Sequence, residues 1–269
     1  MPATFQFLNM LALEIQLRSL LLSLACMTLL WLISLLKKDA SLVDIFWGIG
    51  FIIVSLFYFD LTKSHSLRQW LVITLVVIWG LRLSLHILRR NWGHGEDQRY
   101  RAWREQAGKS FWWVSYFKVF FLQGIVLWIV SWPLLAAQQS ARSLWTIFDV
   151  IGIILWSFGF CFEAIGDFQL ARFKRNPINK GKVMRTGLWA YTRHPNYFGE
   201  AMIWWGFYSF ALTASSGWWT IISPLLMTFL LMRVSGVAML EKSLVVTKPE
   251  YKSYIESTNA FFPWFPRQS

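Results

Sequence analysis

The chain has 269 residues, of which 56% are apolar and only 15% charged, and its formal net charge is +12. A water-soluble domain holds about 45–50% apolar and about 25% charged residues, so this composition argues against a soluble globular protein. The positive charges fall between long apolar blocks rather than across one face, which speaks against a nucleic-acid partner.

Seven membrane spans are predicted, at residues 16–36, 44–59, 68–88, 114–135, 145–168, 196–212 and 218–234. Apolar runs such as Leu20–Leu36 and Ile147–Phe162 approach the roughly 20 residues that cross a bilayer core. The fifth span is longer than the membrane and is expected to project into the cytoplasm, and the sixth is short. The expected fold is therefore all-α and polytopic, a single membrane domain over 1–269.

Lys and Arg set the orientation. The 89–113 connection holds Arg89, Arg90, Arg99, Arg101, Arg104 and Lys109, and the 169–195 connection is equally basic. The 213–217 connection is uncharged and 136–144 has Arg142 alone. The positive-inside rule then puts the N-terminus outside and the C-terminus in the cytoplasm. No cleaved signal peptide is expected, because no basic region precedes the first apolar block. In a bacterium the host would be the cytoplasmic membrane. The 18 tryptophans, mostly near span ends, read as an interfacial belt. Cys26 and Cys161 lie inside apolar blocks and read as small hydrophobes. His65, His86, His94 and His194 show no ligand spacing with cysteine or carboxylate, so no metal is expected.

Polar groups at membrane level are costly and hence candidates for function. Asp44 opens span two, either as a carboxylate favoured by the helix dipole or as an acid facing a cavity. Arg82, His86 and Arg89 follow one face of span three. The run Asn91–Tyr100 reads either as a solvated loop or as a loop folded over a ligand. Glu163 and Asp167 lie one turn apart, where they repel unless donors separate them. The strongest signal is Arg185–Glu200, RTGLWAYTRHPNYFGE. Pro195 suits a first helical position. The helix start, its dipole, Arg193 and His194 then converge into a site suited to phosphate or carboxylate. Asn196 and Glu200 share the face just inside the membrane. Arg233 and Glu241 are expected two turns apart on one continuing helix, and the Phe261–Pro266 run is expected against the membrane face.

The 186–200 motif, with Asp44–Gly48, Asn91–Tyr100, Glu163–Gln169 and the Glu241–Pro266 tail, resembles the DUF1295 family of the steroid 5α-reductase-like superfamily of membrane reductases. The Arg-His-Pro-x-Tyr part is shared with isoprenylcysteine carboxyl methyltransferases. The resemblance implies NADPH held on the cytoplasmic side by a C-terminal region over 145–266, and reduction of an activated C=C bond in a lipophilic enone drawn from the bilayer. By motif position, Asn91, Asp167, Lys174, Tyr191, Arg193, His194, Asn196, Glu200, Arg233, Glu241 and Tyr251 would line the cofactor site. The polar pair and tyrosine by which the superfamily's steroid reductases polarise a carbonyl have no evident match, and Asp44 and His86 are the nearest candidates for a catalytic acid. The absence of G-x-G-x-x-G excludes a Rossmann-type site. A methyltransferase using S-adenosylmethionine and a non-catalytic lipid-binding protein are the competing expectations.

Overall fold

A computed structural model describes residues 3–63, 65–140, 144–234 and 236–267, with side chains described from residue 13 onward. Arg142, used above for orientation, lies outside the described residues. The chain divides into two compact units, Met1–Ser143 and Leu144–Ser269.

The first unit contains α1 (Ala3–Lys37), α2 (Leu42–Thr62) and α3 (Leu67–Asn91), followed by α4 (Gln98–Ala107). From α4 the chain stays helical to Gln138, through α5 (Phe111–Ser115), a π turn (Tyr116–Phe121), α6 (Leu122–Val130) and α7 (Trp132–Gln138). On α1, Ile15, Ser19, Ser23 and Met27 face inward, whereas Leu13, Leu17, Leu21 and Leu29 are exposed. Small or polar groups inside and leucines outside are what a helix needs when lipid is the solvent. The Tyr58 hydroxyl ties α2 to α1 through Ser19 (3.2 Å) and to the α6–α7 junction through Ser131 (2.8 Å). A capping box between Ser66 and Gln69 starts α3, satisfying donors that a helix end leaves open.

The second unit contains α8 (Ile147–Arg175), α9 (Pro195–Ala211), α10 (Ile222–Phe229), a π turn (Leu230–Val234), α11 (Val237–Thr247) and α12 (Tyr251–Ser257). Its frame is an antiparallel pair, α8 on α9, closed by glycine. A Cβ on Gly159 would stand 2.5 Å from the Gly199 carbonyl oxygen, and one on Gly199 would stand 2.5 Å from the Gly159 oxygen and the Glu163 nitrogen. Gly166 meets Pro195, and Gly206 meets Trp156. Gly152, Gly159 and Gly166 recur every seventh residue on α8, as Gly199 and Gly206 do on α9. Absent side chains at that period let two backbones touch along a whole face.

The protein is an integral membrane protein of polytopic, all-helical architecture. Among the described residues, six helices are long and apolar enough to cross a membrane, at Leu13–Lys37, Leu42–Thr62, Leu67–Asn91, Gln98–Gln138, Ile147–Arg175 and Gly217–Thr247. Of the seven expected spans, 196–212 is the one outside this set. The sixth predicted span is α9, which has only 17 residues, about 25 Å at 1.5 Å per residue against a core of about 30 Å. Two further expectations change. Much of the 89–113 connection is helical, because Asp97 caps α4 by accepting from the Arg99 N–H at 2.9 Å. The helix expected to run from Arg233 to Glu241 is broken: Arg233 sits in the π turn, and Gly236, at φ −101 and ψ −109, starts α11 afresh.

Candidate functional site: the entry to α9

The predicted residues divide between the units. Asp44, His86 and Asn91 belong to the first, and Asp167, Lys174, Tyr191, Arg193, His194, Asn196, Glu200, Arg233, Glu241 and Tyr251 to the second.

In the second unit the segment before α9 is pinned to α8. Trp189 donates its indole N–H to the Gly166 carbonyl at 3.0 Å, and the Leu188 N–H donates to Gln169 Oε1 at 3.0 Å. Gly187 takes φ +65, and a Cβ there would run into the Gln169 side chain. Pro195 then opens α9 at its first position, as expected, with His194 as the cap residue.

Arg193 is buried and turned inward. It grips Glu241 through Nε to Oε1 (2.7 Å) and Nη2 to Oε2 (3.0 Å). Its Nη1 donates to the Ile255 carbonyl at 3.1 Å and also to the Thr258 carbonyl. The guanidinium thus clamps α11 and the end of α12 to the α9 entry. Around it, His194 Nε2 lies 3.1 Å from Glu241 Oε1, and the Tyr251 hydroxyl lies 3.5 Å from the same oxygen. Burial pushes the His194 imidazole below the usual histidine range, with the Glu241 carboxylate opposing that shift. Burial, and next the Glu241 charge, push the Tyr251 phenol up. A protonated Tyr251 and a neutral His194 are therefore the resting forms near neutral pH. The sequence brought Arg193, His194, Glu241 and Tyr251 together as ligand groups, and the structure brings them together as partners of one another.

In the first turn of α9, the Asn196 amide nitrogen donates to Asp167 Oδ1 at 3.0 Å, which supplies the donor that the Glu163/Asp167 spacing demanded. Asn196 Oδ1 is buried with no hydrogen-bond partner among the described residues. Glu163, Asp167 and Glu200 are buried on the same α8–α9 seam. Lys174, Tyr191 and Arg233 are exposed. The site's inner wall is rich in acceptors.

In the first unit the structure reveals a partner that sequence reasoning missed. Asp44 accepts from Arg99 Nη2 at Oδ2 (2.7 Å) and from the Tyr100 hydroxyl at Oδ1 (2.7 Å). Both carboxylate oxygens are used as acceptors, so the geometry presents Asp44 as the group that orients Tyr100, whose hydroxyl carries the proton. Glu96 similarly takes two bonds from Arg104 (2.8 and 2.7 Å) and one from the Ala40 N–H (2.8 Å). Burial raises the Glu96 pKa, but these donors outweigh it and leave the carboxyl below its ordinary range. The 91–100 run is therefore latched to the α1–α2 turn. Asn91 accepts from Arg90 Nε at 3.2 Å, and its own amide nitrogen is buried without a partner among the described residues. His86 is half-buried on α3.

A polytopic helical membrane protein with a buried acceptor cluster at the entry of a short, glycine-packed helix is the class that these observations define. The chain belongs to the DUF1295 family, described as a protein family of unknown function, which it matches over residues 30–258. It is 28% identical over 277 residues to an uncharacterized protein of Schizosaccharomyces pombe, covering 91% of this chain and 78% of that relative. A shorter stretch of 62 residues is 32% identical to a probable O-methyltransferase of Ustilaginoidea virens, covering 23% of this chain and 22% of that protein. No solved structure matches.

Proposed function

We propose that this protein is a membrane-embedded, NADPH-dependent reductase of an activated C=C bond in a lipid or steroid-like enone. The observation that carries the reading is the acceptor wall at the α9 entry, above all the buried, unpartnered Asn196 carbonyl oxygen beside Asp167 and Glu200. A buried acceptor without a donor costs about 1–3 kcal/mol, and a ligand that brings donors removes that cost. Ribose hydroxyls and a nicotinamide carboxamide are such donors. The phosphates would fall to exposed cations such as Lys174 and Arg233 and to the first-turn amides of α9. Arg193 is not available for them, because Glu241 and two carbonyls already hold it.

Bound NADPH would supply the hydride that reaches the enone's β-carbon. The electron pair of the double bond then moves onto the carbonyl oxygen, and a proton completes the saturated product at the α-carbon. Asn196, Asp167 and Glu200 would orient the cofactor's donor groups on the α8–α9 seam. The lipid-facing scaffold suits a substrate that dissolves in the bilayer.

A methyltransferase is the second reading, favoured by the short similarity to a probable O-methyltransferase. The same acceptors suit the ammonium and ribose hydroxyls of S-adenosylmethionine. Purified protein in detergent separates the two. NADPH should quench tryptophan emission, sensitise nicotinamide fluorescence and raise the unfolding temperature. Thermal protection by S-adenosylmethionine with none by NADPH overturns the reductase reading.

A further inference from the structure

The polypeptide does not stop at the Arg193–Glu241 clamp. Beyond α12 it forms a strap that is hydrogen-bonded back onto the segment before α9. The Arg193 N–H donates to the Asn259 carbonyl (2.9 Å), and the Trp264 N–H donates to the Tyr191 carbonyl (2.9 Å). The Thr192 hydroxyl donates to the Phe261 carbonyl at 2.9 Å, and the Arg267 N–H donates to the Ser257 carbonyl at 2.8 Å. This backbone is fixed, yet it presents Phe262, Trp264 and Phe265 outward, each more than 60% exposed.

The level of this patch along the membrane can be read from α8. The strap is tied to residues 191–193, and the preceding Trp189 is bonded to the Gly166 carbonyl, against which Pro195 also packs. Gly166 stands about 28 Å from Ile147 along α8 at 1.5 Å per residue, close to the thickness of one hydrocarbon core. At the opposite end of α8, Leu144 and Trp145 are exposed as well. The strap therefore lies one bilayer thickness from the other membrane face, at the height where amphipathic aromatic rings gather. The Phe262 ring lies 6.2 Å from that of Phe198 in the first turn of α9. Arg267 in the strap and Lys252 on α12 are exposed cations.

We propose that residues 258–267 are an interfacial anchor, seating Phe262, Trp264 and Phe265 at the headgroup–acyl boundary of an anionic leaflet and so holding the Arg193–Glu241 clamp in register with the membrane. Aromatic rings supply the burial, and Lys252 and Arg267 supply attraction to acidic headgroups. The proposal needs no particular reaction at the α9 entry, so it stands or falls apart from the reductase reading.

The test places a reporter on the patch. A Trp264→Cys variant with Cys26→Ser and Cys161→Ser, carrying a bimane label, is reconstituted in nanodiscs of phosphatidylcholine and phosphatidylglycerol. Lipids bearing a doxyl quencher near the headgroup should quench it at least about twofold more than lipids bearing one near the chain end, with weak quenching by aqueous iodide. Free access of iodide with no lipid quenching would overturn the anchor. So would protection from both quenchers together with cross-linking between chains, since a second copy would then cover the patch. In the unlabelled protein, exchanging phosphatidylcholine for phosphatidylglycerol should raise the unfolding temperature. Lys252→Gln with Arg267→Gln should remove that rise, and an unchanged rise would overturn the anionic part of the proposal.

Discussion

Arg193 and Glu241, 48 residues apart in sequence, meet in a two-bond fork of 2.7 and 3.0 Å in which each side chain is less than a fifth exposed. Removing one partner of such a pair leaves a buried charge uncompensated, at a cost of about 3–5 kcal/mol. Glu241→Gln and Arg193→Ala should both lower the unfolding temperature of the detergent-solubilised protein sharply. Arg193→Lys should not rescue it, because an ammonium cannot reproduce the fork or reach both the Ile255 and Thr258 carbonyls. Wild-type stability in Arg193→Lys would show that the pair is an exposed, weak contact.

This pair also shows what the sequence could and could not convey. Apolar blocks and basic connections announce a polytopic protein because the bilayer imposes length and charge rules on each segment alone. Pro195 at the start of α9 follows equally from a local rule. The partner of Arg193 depends on how α11 returns, and no periodicity encodes that. Arg193 read as an anion receptor because a motif displays a charge without displaying what neutralises it. Tyr100 carries no signal of its partner for the same reason: the run around it reads as a solvated loop or as a loop folded over a ligand, and only the fold brings it to Asp44. The seven-residue glycine period on α8 and α9 was a legible signal, and it marks the seam on which Asp167 and Asn196 meet.

That seam gives a second prediction. A methyl group on Gly159 or Gly199 would stand 2.5 Å from backbone atoms of the facing helix, and backbone cannot step aside as a flexible side chain can. Gly159→Ala and Gly199→Ala should each cost about 1–3 kcal/mol as overpacking, while also separating Asn196 from Asp167. Gly181→Ala is the control, since nothing lies within 4 Å of a Cβ there, although its φ of +83 brings a backbone penalty of its own. Thermal unfolding of the three variants orders them, with the seam positions expected to lose most.

His194 makes stability depend on pH in a definite direction. Its imidazole is held below the ordinary value by burial, so between that lowered value and about 6.5 the unfolded chain binds a proton that the folded chain does not. Stability is then unaffected above about 6.5 and falls as pH drops below it. His194→Gln should flatten this part of the profile. The Glu96 and Asp97 carboxyls, both held below their ordinary range despite burial by bonds from Arg104 and Arg99, add a further loss at more acidic pH. Unfolding temperatures across the acid range read both effects, and a His194→Gln profile parallel to that of the wild type would remove His194 as the cause of the first.

In the first unit, the 2.7 Å bond from the Tyr100 hydroxyl to Asp44 predicts a loss of stability when either partner is changed. Tyr100→Phe removes the proton-bearing group while keeping the ring, and Asp44→Asn keeps the shape while replacing one acceptor oxygen with a donor. Both should lower the unfolding temperature, since a hydrogen bond to a charged group contributes about 1.5–3 kcal/mol. An unchanged unfolding temperature in both variants would show that this bond does not hold α4 to α2.

The acceptor wall gives the last prediction, and it must distinguish ligand binding from mere stability. Glu200→Gln keeps volume and removes charge, so one ligand hydrogen bond to a carboxylate, worth about 1.5–3 kcal/mol, is weakened. At about 1.4 kcal/mol per tenfold, NADPH affinity should fall roughly tenfold or more. Asn196→Asp should weaken binding further, because it places a like charge against Asp167 and removes the amide that now donates to Oδ1. Lys174→Gln should matter less at high salt than at low salt, as exposed charges are screened. Titration of tryptophan quenching measures all three, with unfolding temperature recorded on the same samples. If Glu200→Gln lowers the unfolding temperature but leaves the NADPH Kd unchanged, the seam carboxylates hold the helices together and the cofactor lies elsewhere.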